Sequence, residues 1–143
     1  MVFPCLESLV IQYCSQLTSA PCHFSSLKDL YICDMCSTTF ENIISNLTTL
    51  TSLWVGKISE LACLPEKLLQ NNASLMFLTI SGSDDLESIT SHEDVWAFCT
   101  SLRSLKIIGC PKLQMLNISN GMCYTMLCIL EWMRKRKHRI GTL

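Results

Sequence analysis

Charge and glycine are both scarce in this chain of 143 residues. Asp, Glu, Lys and Arg together make up 16% of it, the formal net charge is −1, and glycine occurs only 5 times. Set against 49% hydrophobic residues, so little charge excludes a disordered chain, because apolar groups on that scale collapse. A balanced charge also gives no basic footprint for nucleic acid. Long apolar runs are missing too. The longest nearly uncharged one, Met122 to Leu130, falls short of the roughly 18 residues a membrane span needs. No charged segment followed by an apolar one opens the chain, so a secretory leader is not expected. What is abundant is leucine, with 22 residues, and internal repetition is the first explanation to test.

One pattern, L-x-x-L-x-I/V, occurs five times: Leu6-Leu9-Ile11, Leu27-Leu30-Ile32, Leu50-Leu53-Val55, Leu75-Leu78-Ile80 and Leu102-Leu105-Ile107. Successive starts are 21, 23, 25 and 27 residues apart, inside the range of leucine-rich repeats, about 20–29 residues. The second and third members lie two apart and therefore share one face of a short strand. The first Leu enters the same interior from the preceding turn. One repeat cannot bury these side chains alone, whereas stacked repeats make a continuous core. The strands then pair in parallel, each joined to the next by a long crossover.

Beyond each strand the periodicity continues. Three positions on come Cys14, Met35, Ile58, Ser83 and Cys110, expected to point inward, followed by Leu17, Thr38, Leu61, Leu86 and Leu113. A last column holds Ala20, Leu64, Ile89 and Leu116, and the second repeat departs from the pattern after Thr38. Ala20-Pro21 and Leu64-Pro65 read as one turn. Pro65 to Leu69 reads as a short helix with proline at its first position, and Ser91 to Asp94 as a capping box opening another. The expected fold is an α/β repeat. It is a leucine-rich-repeat solenoid of about five repeats over residues 1–120, with a parallel concave sheet and convex loops and short helices. Residues 121–143 form a divergent C-terminal cap or tail.

The strings FPCLESLVIQYCSQLTSAP, LTTLTSLWVGKISELACLPEKLLQN and TSLRSLKIIGCPKLQML resemble the plant cytoplasmic leucine-rich repeat, LxxLxIxxCxxLxxLP. That form is typical of the C-terminal region of nucleotide-binding disease-resistance receptors. The resemblance covers roughly residues 3–118, and Ile107-Ile108-Gly109-Cys110-Pro111-Lys112-Leu113 is its most specific segment. It implies a protein partner: a pathogen effector, a guarded host protein, or the receptor's own nucleotide-binding NB-ARC domain held in check. A phosphate-binding G-x-x-x-x-G-K-S/T loop does not occur, so nucleotide binding is not carried over. The chain resembles a detached piece of such a receptor.

The strand positions that face away from the core are where a repeat stack meets a partner. Val10, Gln12, Asp29, Tyr31, Trp54, Phe77, Thr79 and Lys106 are the candidate binding residues. Tyr31 and Trp54 share a column in adjacent repeats, with Phe77 one column over on the next. Large rigid aromatics bury much area at low entropic cost. The competing reading is packing between neighbouring strands with no partner involved.

Other motifs carry less. Cys33-Asp34-Met35-Cys36 is a lone C-x-x-C, near Cys22 and His23 in sequence, whereas structural zinc takes four ligands. No metal or cofactor is expected. His92, Glu93 and Asp94 have no accompanying nucleophile or oxyanion donor, so a helix start is expected there rather than an enzyme site. Ten cysteines without paired spacing point to a reducing, cytoplasmic setting. Three sequons, at Asn46, Asn72 and Asn117, motivate an extracellular repeat receptor as an alternative. A ubiquitin-ligase adaptor is another, although no F-box-like segment precedes the repeats. The tail Arg134 to Arg139 holds five of the eleven basic residues and leaves residues 1–121 at net −5. It reads as a solvated helix end, a targeting signal, or an extension without a role.

Overall fold

The computed structural model describes residues 2–113, apart from residues 15, 19–22 and 92 and the side chains of Glu93 and Trp96. The expected cap or tail over 121–143, Leu116, the Asn117 sequon and the Ala20-Pro21 turn lie outside the described residues.

Five strands, β1 (Ser8–Gln12), β2 (Asp29–Cys36), β3 (Ser52–Ser59), β4 (Phe77–Ser81) and β5 (Ser104–Ile108), each begin within the expected triplets. They form one parallel sheet in sequential order, β1-β2-β3-β4-β5. The pairing register follows the repeat: Leu9, Leu30, Leu53, Leu78 and Leu105 form one row, and Ile11, Ile32, Val55, Ile80 and Ile107 another. Both rows belong to a single core that also takes in Leu27, Leu50, Leu75 and Leu102.

Identical backbone devices bracket every strand. On entry, one carbonyl accepts two N–H groups from the next repeat: Glu7 from Lys28 and Asp29, Lys28 from Thr51 and Ser52, Thr51 from Met76 and Phe77, Met76 from Arg103 and Ser104. These bonds fix register independently of side chains. The residue two beyond each Ile or Val has a left-handed backbone: Tyr13, Asp34, Lys57, Gly82 and Gly109, all with φ between 49° and 63°; Asp34 and Lys57 lie within β2 and β3, and the other three just past their strands. Only the last two are glycines, the residue that accepts this geometry without strain.

Helical segments lie in the crossovers. In the second repeat, where the side-chain pattern lapses after Thr38, β2 runs on to Cys36 and an unforeseen helix α1 (Ser37–Ile44) follows, burying Thr39, Phe40, Ile43 and Ile44. The helix α2 (Glu66–Asn71) was legible from Pro65, but the proline stands at the N-cap with extended ψ, one place before the first helical residue. The segment after Ser91 is a 3-10 helix, Glu93–Phe98, the tighter form usual for such short pieces. Ser91 does not close a capping box; its hydroxyl donates to Glu66 Oε1 at 2.5 Å.

The inward column also needs one correction. Met35, Ile58, Ser83 and Cys110 are buried as expected, but Cys14 is exposed. It belongs to the first repeat, and among the described residues no strand lies outside β1 to cover it.

Candidate protein-interaction face

Strand alternation is regular: the first, third and fifth residues of the strands point away from the core. All eight candidate residues fall on this outward face. Val10, Tyr31, Trp54, Thr79 and Lys106 form one continuous row across five strands. Asp29 and Phe77 lie in the preceding row with Ser8, Ser52 and Ser104, and Gln12 lies in the following row with Cys33, Gly56, Ser81 and Ile108. Val10 and Phe77 are 59% and 46% exposed. Gln12, Asp29 and Lys106 are exposed; Tyr31, Trp54 and Thr79 are half-buried.

At the centre of the row, the Tyr31 and Trp54 rings stack with centroids 4.2 Å apart and planes 9° from parallel. Packing between neighbouring strands is therefore present, and it preorganises both rings. Gly56 is the residue that sequence reasoning passed over. A Cβ on it would lie 2.3 Å from Trp54 Cζ3 and 2.5 Å from Cη2, so the indole leans along its own strand over a position where only hydrogen fits. A glycine two residues after a tryptophan on one strand face was the available signal. Cys33, in register with Gly56, occupies an outward position yet is only 4% exposed. Burial pushes its thiol up from the ordinary value, and the hydrogen bond it donates to Asp34 Oδ2 at 3.0 Å adds to this. The Tyr31 phenol is also raised, first by burial and then by the neighbouring Cys33.

The charge layout suits recognition of a largely uncharged surface. On the outward strand positions, Asp29 on β2 and Lys106 on β5 flank Ser52, Trp54, Gly56, Phe77, Thr79 and Ser81, none of which is charged. Interface hot spots are built around aromatic centres with polar flanks.

The remaining motifs do not gather into a second centre. Cys33 and Cys36 belong to β2, His23 to an isolated bridge with Val2, and Cys22 is outside the described residues. Among the described residues no three His, Cys, Asp or Glu side chains form a metal-holding group. Seven described cysteines are free thiols. Of the acid–base trio only Asp94 has a described side chain, and it is exposed. The sequons separate: Asn46 is exposed, whereas Asn72 is 1% exposed with its amide fully engaged. Asn72 Nδ2 donates to Leu47 and Leu68 carbonyls at 2.9 and 2.8 Å, and its Oδ1 accepts from Leu50 N–H at 3.0 Å. A glycan at Asn72 is incompatible with this packing. No helix among the described residues is long and apolar enough to cross a membrane.

Compared with protein-family models, with curated proteins and with solved structures, the chain gives no match.

Proposed function

We propose that the chain is a short leucine-rich-repeat solenoid whose sheet is the concave face. On this reading it is a protein-interaction module of the plant intracellular immune-receptor type, acting in the cytoplasm. Its role is differential binding, of an effector or guarded host protein or of the nucleotide-binding domain such a receptor carries. No bond-making chemistry is assigned to it. The observation that carries the reading is the Val10–Tyr31–Trp54–Thr79–Lys106 row, in which a preorganised aromatic pair stands on a rigid, paired backbone. The repeat strings that resemble the plant cytoplasmic form supply the receptor class. The buried Asn72 amide weighs against the extracellular alternative, since one of its three sequons is a structural residue.

The test is affinity capture from plant leaf extract, with the full chain as bait beside a Phe77→Ser/Lys106→Glu variant. Both substitutions sit on outward positions, so both baits should melt alike. A protein retained by the wild type and lost by the variant supports the proposal. An identical set of captured proteins, or none, overturns it.

A further inference from the structure

Charge is sorted by sign across the sheet. The charged residues within the five strands are Asp29 and Asp34 on β2, Lys57 on β3 and Lys106 on β5. The border between the signs runs through the aromatic stack, with Tyr31 on the acidic strand and Trp54 on the first basic one. Lys57 leans further to the basic side. Its Cγ lies 3.2 Å and its Cε 4.0 Å from the point where Gly82, just past β4, would carry a Cβ. Lys106 stands in the outward row, paired with Thr79.

Neither ammonium group is neutralised among the described residues. Lys28 is held by Glu7 at 2.9 Å and Lys112 by Asp85 at 3.2 Å, whereas Lys57 and Lys106 are exposed and in no such ion pair. The neighbouring carboxylates are otherwise placed. Asp34 stands beside Lys57 in register, but it accepts the Cys33 thiol at 3.0 Å while Lys57 turns toward Gly82. Asp85 also accepts the Glu60 N–H, and Asp84, past β4, pairs with neither lysine. Between the two cations the outward face carries the half-buried Thr79 and Ser81, with Phe77 and Ile108 exposed on either side.

Resting on the reading of the sheet as a binding face, we infer that the partner presents an acidic side chain to Lys57 and Lys106, close to a large apolar residue seated on Trp54 and Phe77. A carboxylate there is attracted by two unpaired cations beside an aromatic wall, where water screens less well than in bulk. The same arrangement repels a basic segment, so it selects a partner as well as holding it. The spacing of the motif follows from the sheet. Trp54 and Lys106 are two strands apart, about 9–10 Å at the usual separation of paired strands, which an extended peptide covers in about three residues. The fitting segment crosses the strands with an aromatic or large aliphatic residue and, about three positions away, Asp or Glu.

Display of random peptides on the immobilised full chain tests this chemistry. The expected selection pairs a large apolar residue with Asp or Glu about three positions away. A Lys57→Glu/Lys106→Glu chain, and Lys106→Glu alone, should select Lys or Arg at that place instead; unchanged melting confirms that they fold. A synthetic peptide of the wild-type consensus should bind Lys57→Gln/Lys106→Gln about fivefold more weakly than wild type, and should weaken as salt rises. Peptides enriched without an acidic residue, yet lost with Phe77→Ser, would overturn the inference and leave the binding face standing. The same set selected by the charge-reversed chains would also overturn it. No enrichment at all would count against both.

Discussion

The indole of Trp54 occupies the space in which Gly56 would carry a side chain, and the two residues form one unit on the outward face of β3. Gly56→Ala places a methyl group inside van der Waals distance of the ring, so the ring must lift from the strand and lose its stack with Tyr31. The expected cost is about 1–3 kcal/mol, read from urea unfolding followed by tryptophan fluorescence. In a Trp54→Ala background the same glycine change should cost much less, because the clash has gone. Additive costs would show that the two residues act independently.

Trp54→Ala alone should not be silent. The stacked geometry with Tyr31 contributes roughly 1 kcal/mol beyond simple burial, so a modest loss of stability accompanies the loss of the proposed binding surface. For a partner engaging the aromatic pair, affinity should fall by about 2 kcal/mol, some thirtyfold, while the strand register stays intact. A titration of the captured partner against folded variant protein measures this. Unchanged affinity would remove Trp54 from the site.

Asn72 is a buried polar residue on which three backbone groups depend. Asn72→Ala leaves the Leu50 N–H without its acceptor and two carbonyls without their donor, an expected loss of about 2–4 kcal/mol. Asn72→Asp should fare no better than alanine, since a carboxylate cannot donate to the Leu47 and Leu68 carbonyls. Urea midpoints of the three proteins give the comparison. Wild-type stability of Asn72→Asp would show that those donated bonds contribute little.

The left-handed residues differ in what they tolerate. Gly82→Ala should destabilise by about 1–2 kcal/mol, because a Cβ is forced into a conformation it disfavours. Lys57→Gly relieves the same strain one repeat earlier, but the freer unfolded chain offsets part of the gain, leaving about 0.5 kcal/mol. Opposite signs in thermal melts are the expected outcome.

The thiols should separate by reactivity. Cys36 is exposed, and hydrogen bonding by Thr39 holds its thiol below the ordinary value, whereas burial pushes Cys99 up to about 11. Timed alkylation with mass mapping should label Cys36 early and Cys99 only through unfolding. Because the folded state holds the Cys99 proton more tightly than the unfolded chain, its contribution to stability is complete below pH 9 and is lost as pH rises toward about 11. Wild type should therefore lose more stability across that window than Cys99→Ala does.

Much of this architecture was legible residue by residue. The L-x-x-L-x-I/V spacing located all five strands and their parallel order, because side-chain alternation is a local property of extended backbone and no lone repeat can bury its leucines. The outward face, with all eight candidate residues on it, follows from the same period of two. α1 escaped because its repeat keeps the strand but replaces the return pattern, and Phe40 fills the interior from a different chain path. Cys14 escaped for the reverse reason: its position in the pattern is interior, but burial also requires a neighbour.

What a single stretch of residues could not express is contact between repeats. Gly56 beneath Trp54 shares a strand with it, yet the lean of the ring depends on Tyr31 standing one strand away. The Asn72 amide reads as a glycosylation motif until Leu47, Leu50 and Leu68 close around it. Composition and period are set along the chain, whereas which thiol is shielded and which asparagine is structural depend on residues some twenty positions apart, brought side by side by stacking.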